Sequence, residues 1–195
     1  SAMDPLENPV LYHLDLASGE WQTWALPLPG NTHTAWGPGN NTIIYTDNSV
    51  STCGLYQFNI ETDESKQIYK TENDEKNWFA FKTLKFSRDR KKIAFDRTYQ
   101  KIIYYDFETG EGKLLAEKYY APMFSPDGQK IMAHSGTDMA IFSLNGEILH
   151  KFNLRKQFSQ GTKIWGFDWS PNGKQLVFYT SNMIFETSLM KNVLK

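Results

Sequence analysis

The chain has 195 residues, 40% of them apolar and 15% aromatic, which is enough for one well-buried core or one array of repeats. Its 21 basic and 22 acidic residues leave a net charge of -1 with no long run of like charge, so the clustered Lys and Arg that displace counterions from nucleic acid are missing. A single cysteine, Cys53, excludes an internal disulfide framework, and no apolar run approaches the roughly 18 residues of a membrane helix.

The opening Ser1-Ala2-Met3-Asp4-Pro5 reads as the scar of a cleaved tag, which leaves 6–195 as a single domain. The first apolar run, Leu11 to Leu14, leads through Leu16-Ala17-Ser18-Gly19-Glu20 into Trp21 to Leu26. A connection from Pro27 to His33 follows. Gly37-Pro38-Gly39-Asn40-Asn41 then precedes Ile43-Ile44-Tyr45. Cys53 has no basic or His neighbour in sequence to lower its pKa and reads as inert. Leu55 to Phe58 runs into the turn Ile60-Glu61-Thr62-Asp63-Glu64. A polar connection from Thr71 to Phe81 carries Glu72, Asp74, Glu75, Lys76, Trp78 and Phe79, and 70–80 is the one candidate helical turn.

The pattern then repeats. Ser87-Arg88-Asp89-Arg90-Lys91 precedes Ile93-Ala94-Phe95, and Ile102 to Tyr105 leads to Phe107-Glu108-Thr109-Gly110-Glu111 and Lys113 to Ala116. Ser125-Pro126-Asp127-Gly128-Gln129 precedes Ile131-Met132-Ala133, and Met139 to Phe142 leads to Leu144-Asn145-Gly146-Glu147. After a connection from Leu154 to Ile164, Ser170-Pro171-Asn172-Gly173-Lys174 precedes Leu176 to Tyr179. Met183 to Ser188 is a weaker fifth copy of the second turn type.

Two kinds of hairpin therefore alternate. Strands A and B flank the turns that begin at residues 37, 87, 125 and 170, and strands C and D flank the others. Pro presets φ, Asp or Asn bonds the nearby backbone, and Gly accepts positive φ, so each cluster is a turn with a mechanism. A four-stranded unit of about 40 to 45 residues is the period of propeller blades. Inner strands packed between blades are buried on both faces, which accounts for continuous apolar runs such as Leu176 to Tyr179.

Phe124-Ser125-Pro126-Asp127-Gly128-Gln129-Lys130-Ile131 and Trp169-Ser170-Pro171-Asn172-Gly173-Lys174-Gln175-Leu176 resemble the PD40, or WD40-like, repeat of TolB-type propellers and of the propeller domains of prolyl oligopeptidase relatives. The clusters at Gly37 and Ser87 depart from the pattern, lacking Pro-Asp-Gly in register. The expected fold is an all-β propeller of four-stranded antiparallel blades, about four and a half to five in number, small, open or partial. Family propellers carry about six to eight blades, which at about 42 residues each need at least roughly 250. Three readings compete: a five-bladed ring whose first blade lacks its A-B pair, four blades closed by the N-terminal C-D hairpin joining the final A-B pair, or a piece of a longer parent. An open ring favours self-association through its edges.

Catalytic motifs are missing: there is no Gly-x-Ser-x-Gly elbow, no phosphate-cradling loop and no His-Glu-x-x-His helix. No catalytic residue, metal ligand or cofactor is assigned. The histidines His13, His33, His134 and His150 lie far apart and read as surface or strand-end residues. Binding is expected on the long, varied D-to-A connections, with Trp78, Phe79, Trp165, Arg155, Lys156 and His33 as candidate partner-binding residues. The alternative for Trp165 and Trp169 is that they fill the space between blades.

The first functional expectation is a non-catalytic binding, sensor or scaffold module engaging a protein or glycan. In its most specific form this is the extracytoplasmic domain, periplasmic or cell-surface, of a bacterial membrane-anchored signalling protein such as an anti-sigma factor, with its anchor outside this chain. The single cysteine is equally compatible with the cytoplasm. The second expectation is the substrate-gating propeller of a prolyl-oligopeptidase-like hydrolase separated from its catalytic domain. A third, a hydrolase using the propeller itself, predicts His33, His134 and Asp96 clustered about a central axis.

Overall fold

The computed structural model describes residues 10–27, 33–49, 52–71, 81–97, 100–136, 138–153, 163–181 and 185–191, and all their regular structure is β. The chain divides into two compact units, Ser1–Phe81 and Lys82–Lys195.

The first unit holds a two-stranded hairpin, β1 (Val10–Leu14) and β2 (Trp21–Ala25), and a four-stranded sheet in the order β3 (Thr34–Trp36), β4 (Thr42–Asp47), β5 (Gly54–Asn59), β6 (Glu64–Lys70). Leu26, Ile43, Tyr45, Tyr56 and Phe58 form its core, with Leu11 and Trp24 of the hairpin packed against them.

The second unit holds three sheets. β7 (Phe81–Phe86), β8 (Lys92–Arg97), β9 (Lys101–Asp106) and β10 (Glu111–Glu117) form the first. β11 (Tyr120–Phe124), β12 (Lys130–His134), β13 (Asp138–Ser143) and β14 (Ile148–Asn153) form the second. β15 (Lys163–Trp169), β16 (Gln175–Ser181) and β17 (Phe185–Lys191) form the third. Neighbours in every sheet are consecutive in sequence, the meander expected of blades.

The period of two explains the stacking. Ile131 and Ala133 of β12, with Ala140 and Phe142 of β13, join a core with Ala94, Ile102 and Tyr104 of the preceding sheet. Met132, Met139 and Ile141, the residues between them, join a core with Trp169, Leu176 and Phe178 of the following sheet. The inner strands β12 and β13 are thus apolar on both faces because both are covered, each fully buried large side chain contributing about 1.5 to 3 kcal/mol.

Three of the four A-B turns share one construction. Ser87, Ser125 and Ser170 each direct Oγ to the Asx side chain two residues on, at 2.6, 2.5 and 2.7 Å, and that Oγ accepts the N–H five residues on. The fourth turn residue is left-handed in all three: Arg90 (φ 58°), Gly128 (68°) and Gly173 (68°). The Ser87 copy therefore keeps the repeat's geometry although Arg90 replaces the glycine.

Three expectations are corrected. The apolar run Leu176 to Tyr179 is buried on one face only, since Leu176 and Phe178 face the core while Val177 and Tyr179 are exposed. Phe185-Glu186-Thr187-Ser188 is not a turn but part of β17, paired with β16 along its length. Ser188 stands where Gly110 turns at φ 72° in the matching Phe107-Glu108-Thr109-Gly110, and without that glycine the segment runs on as strand. β16 is therefore occupied on both edges, by β15 and β17, which overturns closure of four blades by the N-terminal hairpin joining β15 and β16. Of the candidate helical turn at 70–80, residues 72–80 lie outside the described residues, Lys70 ends β6, and the buried Thr71 donates its N–H to the Cys53 carbonyl.

Candidate binding surface

The polar positions at the ends of the second strands show how the connections are anchored. In the first unit, Thr46 Oγ1 accepts the His33 N–H at 3.0 Å, and the His33 carbonyl accepts the Thr46 N–H at 3.1 Å. At the matching position of the next sheet, Asp96 is buried. One oxygen accepts the N–H and hydroxyl of Thr83 at 2.8 and 2.7 Å, and the other accepts the Ala121 N–H of the adjacent sheet at 3.0 Å. His134 follows in the third, also buried. Its ring lies edge-on to Tyr120 at 4.1 Å and to Phe167 at 5.4 Å, and its Nδ1 has no hydrogen-bond partner among the described residues. Burial pushes its pKa down to about 4 against the opposing pull of the Asp96 charge, so the ring is neutral at pH 7.

Asp96 and His134 are near enough for the Asp96 charge to act on the ring, but both are buried and Asp96 already accepts from three donors. Among the described residues no three His, Cys, Asp or Glu side chains are grouped to hold a metal ion.

Of the candidate binding residues, Trp78, Phe79, Arg155 and Lys156 lie outside the described residues. His33 is exposed where the 27–33 connection enters β3. Trp165 is 60% exposed near the start of β15, at a bulge where the pairing with β16 shifts between Ile164 and Gly166. Such an extra residue re-aims a side chain out of the sheet's alternation. Beside it, Gly166 faces Tyr179, whose nearest ring carbon would stand 2.6 Å from any Cβ built there, so the absent side chain is what lets that ring approach the strand. Tyr179 and Val177 are themselves exposed, so Trp165 stands on a sheet with further apolar side chains at its surface. Trp169, in contrast, is buried with Met132 and Phe178 and fills the space between sheets, as its alternative reading held.

Two further concavities were not legible in the sequence. One, of about 420 Å³, runs along the A-B turns between Arg88, Asp127, Lys130, Trp169, Pro171 and Lys174, with an excess of positive charge. The other, of about 300 Å³, lies in the first unit between β1 and the β3–β4 strands. Its aromatic lining, His13, Trp24 and Trp36, comes from three separate strands, which is why no local pattern marks it.

No family model matches the chain, and no curated protein sequence does. Solved structures do. An oligogalacturonate lyase in complex with manganese superposes with a TM-score of 0.64 at 14% identity, covering 87% of this chain and 52% of its own. TolB from Acinetobacter baumannii gives 0.57 at 17%, covering 94% and 46%, and the Cps50 (Swd1) β-propeller domain of Myceliophteria thermophila gives 0.61 at 11%, covering 83% and 52%. The fold is that of a TolB-like or WD40-like β-propeller, of which this chain carries a part. The chain spans about half the length of the structures it matches.

Proposed function

We propose that this propeller module is a non-catalytic binding domain that engages a protein or glycan partner, with Trp165 as the anchor of its contact surface. The observation that carries the reading is the exposed indole itself. A large rigid aromatic is displayed at a bulge next to Gly166, whose cross-strand partner is the exposed Tyr179, at the point where the 154–162 connection rejoins the sheet. Trp and Tyr are the usual anchors of protein interfaces, and an indole face stacks on sugar rings. The name of one structural neighbour, an oligogalacturonate lyase, supports the glycan arm of the reading. Arg155 and Lys156 extend the same proposal along that connection, and His33, Trp78 and Phe79 extend it to the other two. An extracytoplasmic sensor role in a membrane-anchored bacterial signalling protein is its most specific form.

The test places a photo-crosslinking amino acid at position 165 in the full chain and identifies what it captures in cells. The captured partner is then titrated against the wild type and Trp165→Ala. A loss of affinity of at least tenfold is expected. Equal affinity for the two proteins removes Trp165 from the contact surface.

A further inference from the structure

The 420 Å³ cleft lies at the Trp169 end of β15, away from Trp165, and three stacked A-B turns build it. A Cβ on Gly128 would stand 3.5 Å from the Ser87 Cβ, and one on Gly173 would stand 3.7 Å from the Pro126 Cδ, so each turn rests on the one before it. The volume falls within the about 300 to 1,000 Å³ of ligand-sized clefts. Trp169 lines the floor at 7% exposure. Its indole N–H, also buried, meets no acceptor among the described residues, so the floor carries a donor still to be satisfied.

The charge of the cleft comes from departures from the repeat. In all three turns one Asx oxygen accepts the serine hydroxyl and also the N–H two residues on, the latter at 3.1, 3.0 and 3.0 Å for Asp89, Asp127 and Asn172. Those bonds need an acceptor oxygen and no charge. Asn172 therefore does in the third turn what Asp127 does in the second, and differs from it by one negative charge. Arg88 is the other departure. It stands where the later turns carry Pro126 and Pro171, and the turn closes with the same bonds. Both exchanges move the cleft toward positive charge, and neither is needed by the turn.

The cations that line the cleft are available to a ligand. Arg88 and Lys174 are exposed and Lys130 is half-buried, and none of the three forms an ion pair among the described residues. Two other cations of the first turn are engaged: Arg90 lies over the Phe86 ring at 5.6 Å, and Lys91 pairs with Glu108 at 2.6 Å. Asp127 is the one carboxylate in the lining.

We infer that this cleft is a docking site for an acidic, extended segment of a protein partner, whose carboxylates are taken by Arg88, Lys130 and Lys174. A guanidinium among the cations adds the fork geometry that matches a carboxylate. A lining that also holds Asp127 suits carboxylates spaced along a peptide, whereas the dense charge of a phosphate chain would be set against that acid. The lining displays no exposed aromatic face for stacking on a base or a sugar, since Trp169 is buried. The inference is independent of the Trp165 reading: it uses other residues, and a defined acidic probe tests it whatever is captured at position 165.

The test uses the full chain and a rhodamine-labelled hexaglutamate peptide, read by anisotropy at low ionic strength, with labelled hexaglutamine as the control. Saturable binding of hexaglutamate alone is expected, weakening as salt rises. Lys174→Glu is expected to weaken it at least about tenfold. Asn172→Asp keeps both turn bonds and adds a carboxylate, so it is expected to weaken binding about threefold with an unchanged thermal melt, and Asp127→Asn to tighten it about threefold. A merely structural role for positions 127 and 172 would not move affinity in opposite directions. The inference is overturned by absence of saturable binding, by equal binding of hexaglutamine, or by equal affinity of the wild type, Asn172→Asp and Lys174→Glu. Tighter binding of a labelled oligonucleotide or uronic-acid oligosaccharide of the same charge, lost in Lys174→Glu, overturns the choice of partner.

Discussion

The buried Asp96 of β8 accepts the backbone N–H of Ala121 in β11 at 3.0 Å, so a carboxylate of one sheet holds the first strand of the next. Ala121 sits in left-handed backbone at φ 53°, in the irregular stretch where the β11–β12 register shifts between Tyr120 and Met123, and the ladder does not satisfy that N–H in the ordinary way. Asp96 joins adjacent sheets where apolar contacts alone would let them slide.

Replacing Asp96 therefore strands two backbone donors, on Thr83 and Ala121, in the interior. Asp96→Ala is expected to cost about 2 to 4 kcal/mol, and Asp96→Asn about 1 to 3 because its NH2 meets one of those donors. Urea unfolding followed by circular dichroism measures both. A loss below about 0.5 kcal/mol for Asp96→Ala shows that the inter-sheet bond contributes nothing.

His134 makes the second unit sensitive to acid. Its folded pKa, about 4, lies below the ordinary value of 6.5, so the unfolded chain binds the proton first as pH falls. The contribution is fully present above about pH 6.5 and is lost progressively down to about pH 4, on the order of 3 kcal/mol in all. His134→Phe, which keeps a ring against Tyr120 and Phe167, is expected to flatten that part of the stability profile. Parallel slopes for variant and wild type between pH 6.5 and 4.5 assign the acid sensitivity elsewhere.

The serine of the turn can be separated from the rest of the turn. Ser125 Oγ meets Asp127 at 2.5 Å and accepts the Lys130 N–H at 3.0 Å in a buried position. Ser125→Ala is expected to cost about 1 to 2 kcal/mol. The more exposed Ser170, with the same two bonds, is expected to cost less on the same change. Thermal melts of the two single variants rank them, and the reverse order contradicts the role given to burial.

Two glycines are needed for different reasons. A Cβ on Gly54 would stand 2.3 Å from the Tyr69 carbonyl oxygen of the neighbouring strand, which is backbone and has little room to give. Gly19 has open space about it but a φ of 75°. Gly54→Ala is expected to cost about 2 to 3 kcal/mol as the ladder is forced apart, and Gly19→Ala about 1. Chemical denaturation of each variant tests the order.

The alternation of turns was readable residue by residue because turn chemistry is local. Ser125, Asp127 and Gly128 carry their own hydrogen bonds and dihedrals within five positions, and even the divergent Ser87 copy adopts the same form with Arg90 in the glycine's place. The reading failed where the deciding neighbour is remote. Met183 to Ser188 looked like another turn, but pairing with β16 drew Phe185–Lys191 into a strand. Trp165 and Trp169 are four residues apart on one strand, yet only contact with Met132 and Phe178 distinguishes the one buried indole from the exposed one. His13, Trp24 and Trp36 form a cleft that no window of sequence contains.

From its sequence alone this protein was determined to be all-β and built of alternating hairpins, because φ preferences, Asx turns and the period of two act over a few residues. Which strand faces are covered was decided only by tertiary structure. Leu176 to Tyr179 and Val10 to Leu14 are as apolar as the doubly buried strands, and whether such a run ends in a core or at a surface depends on a second sheet whose presence is a long-range fact.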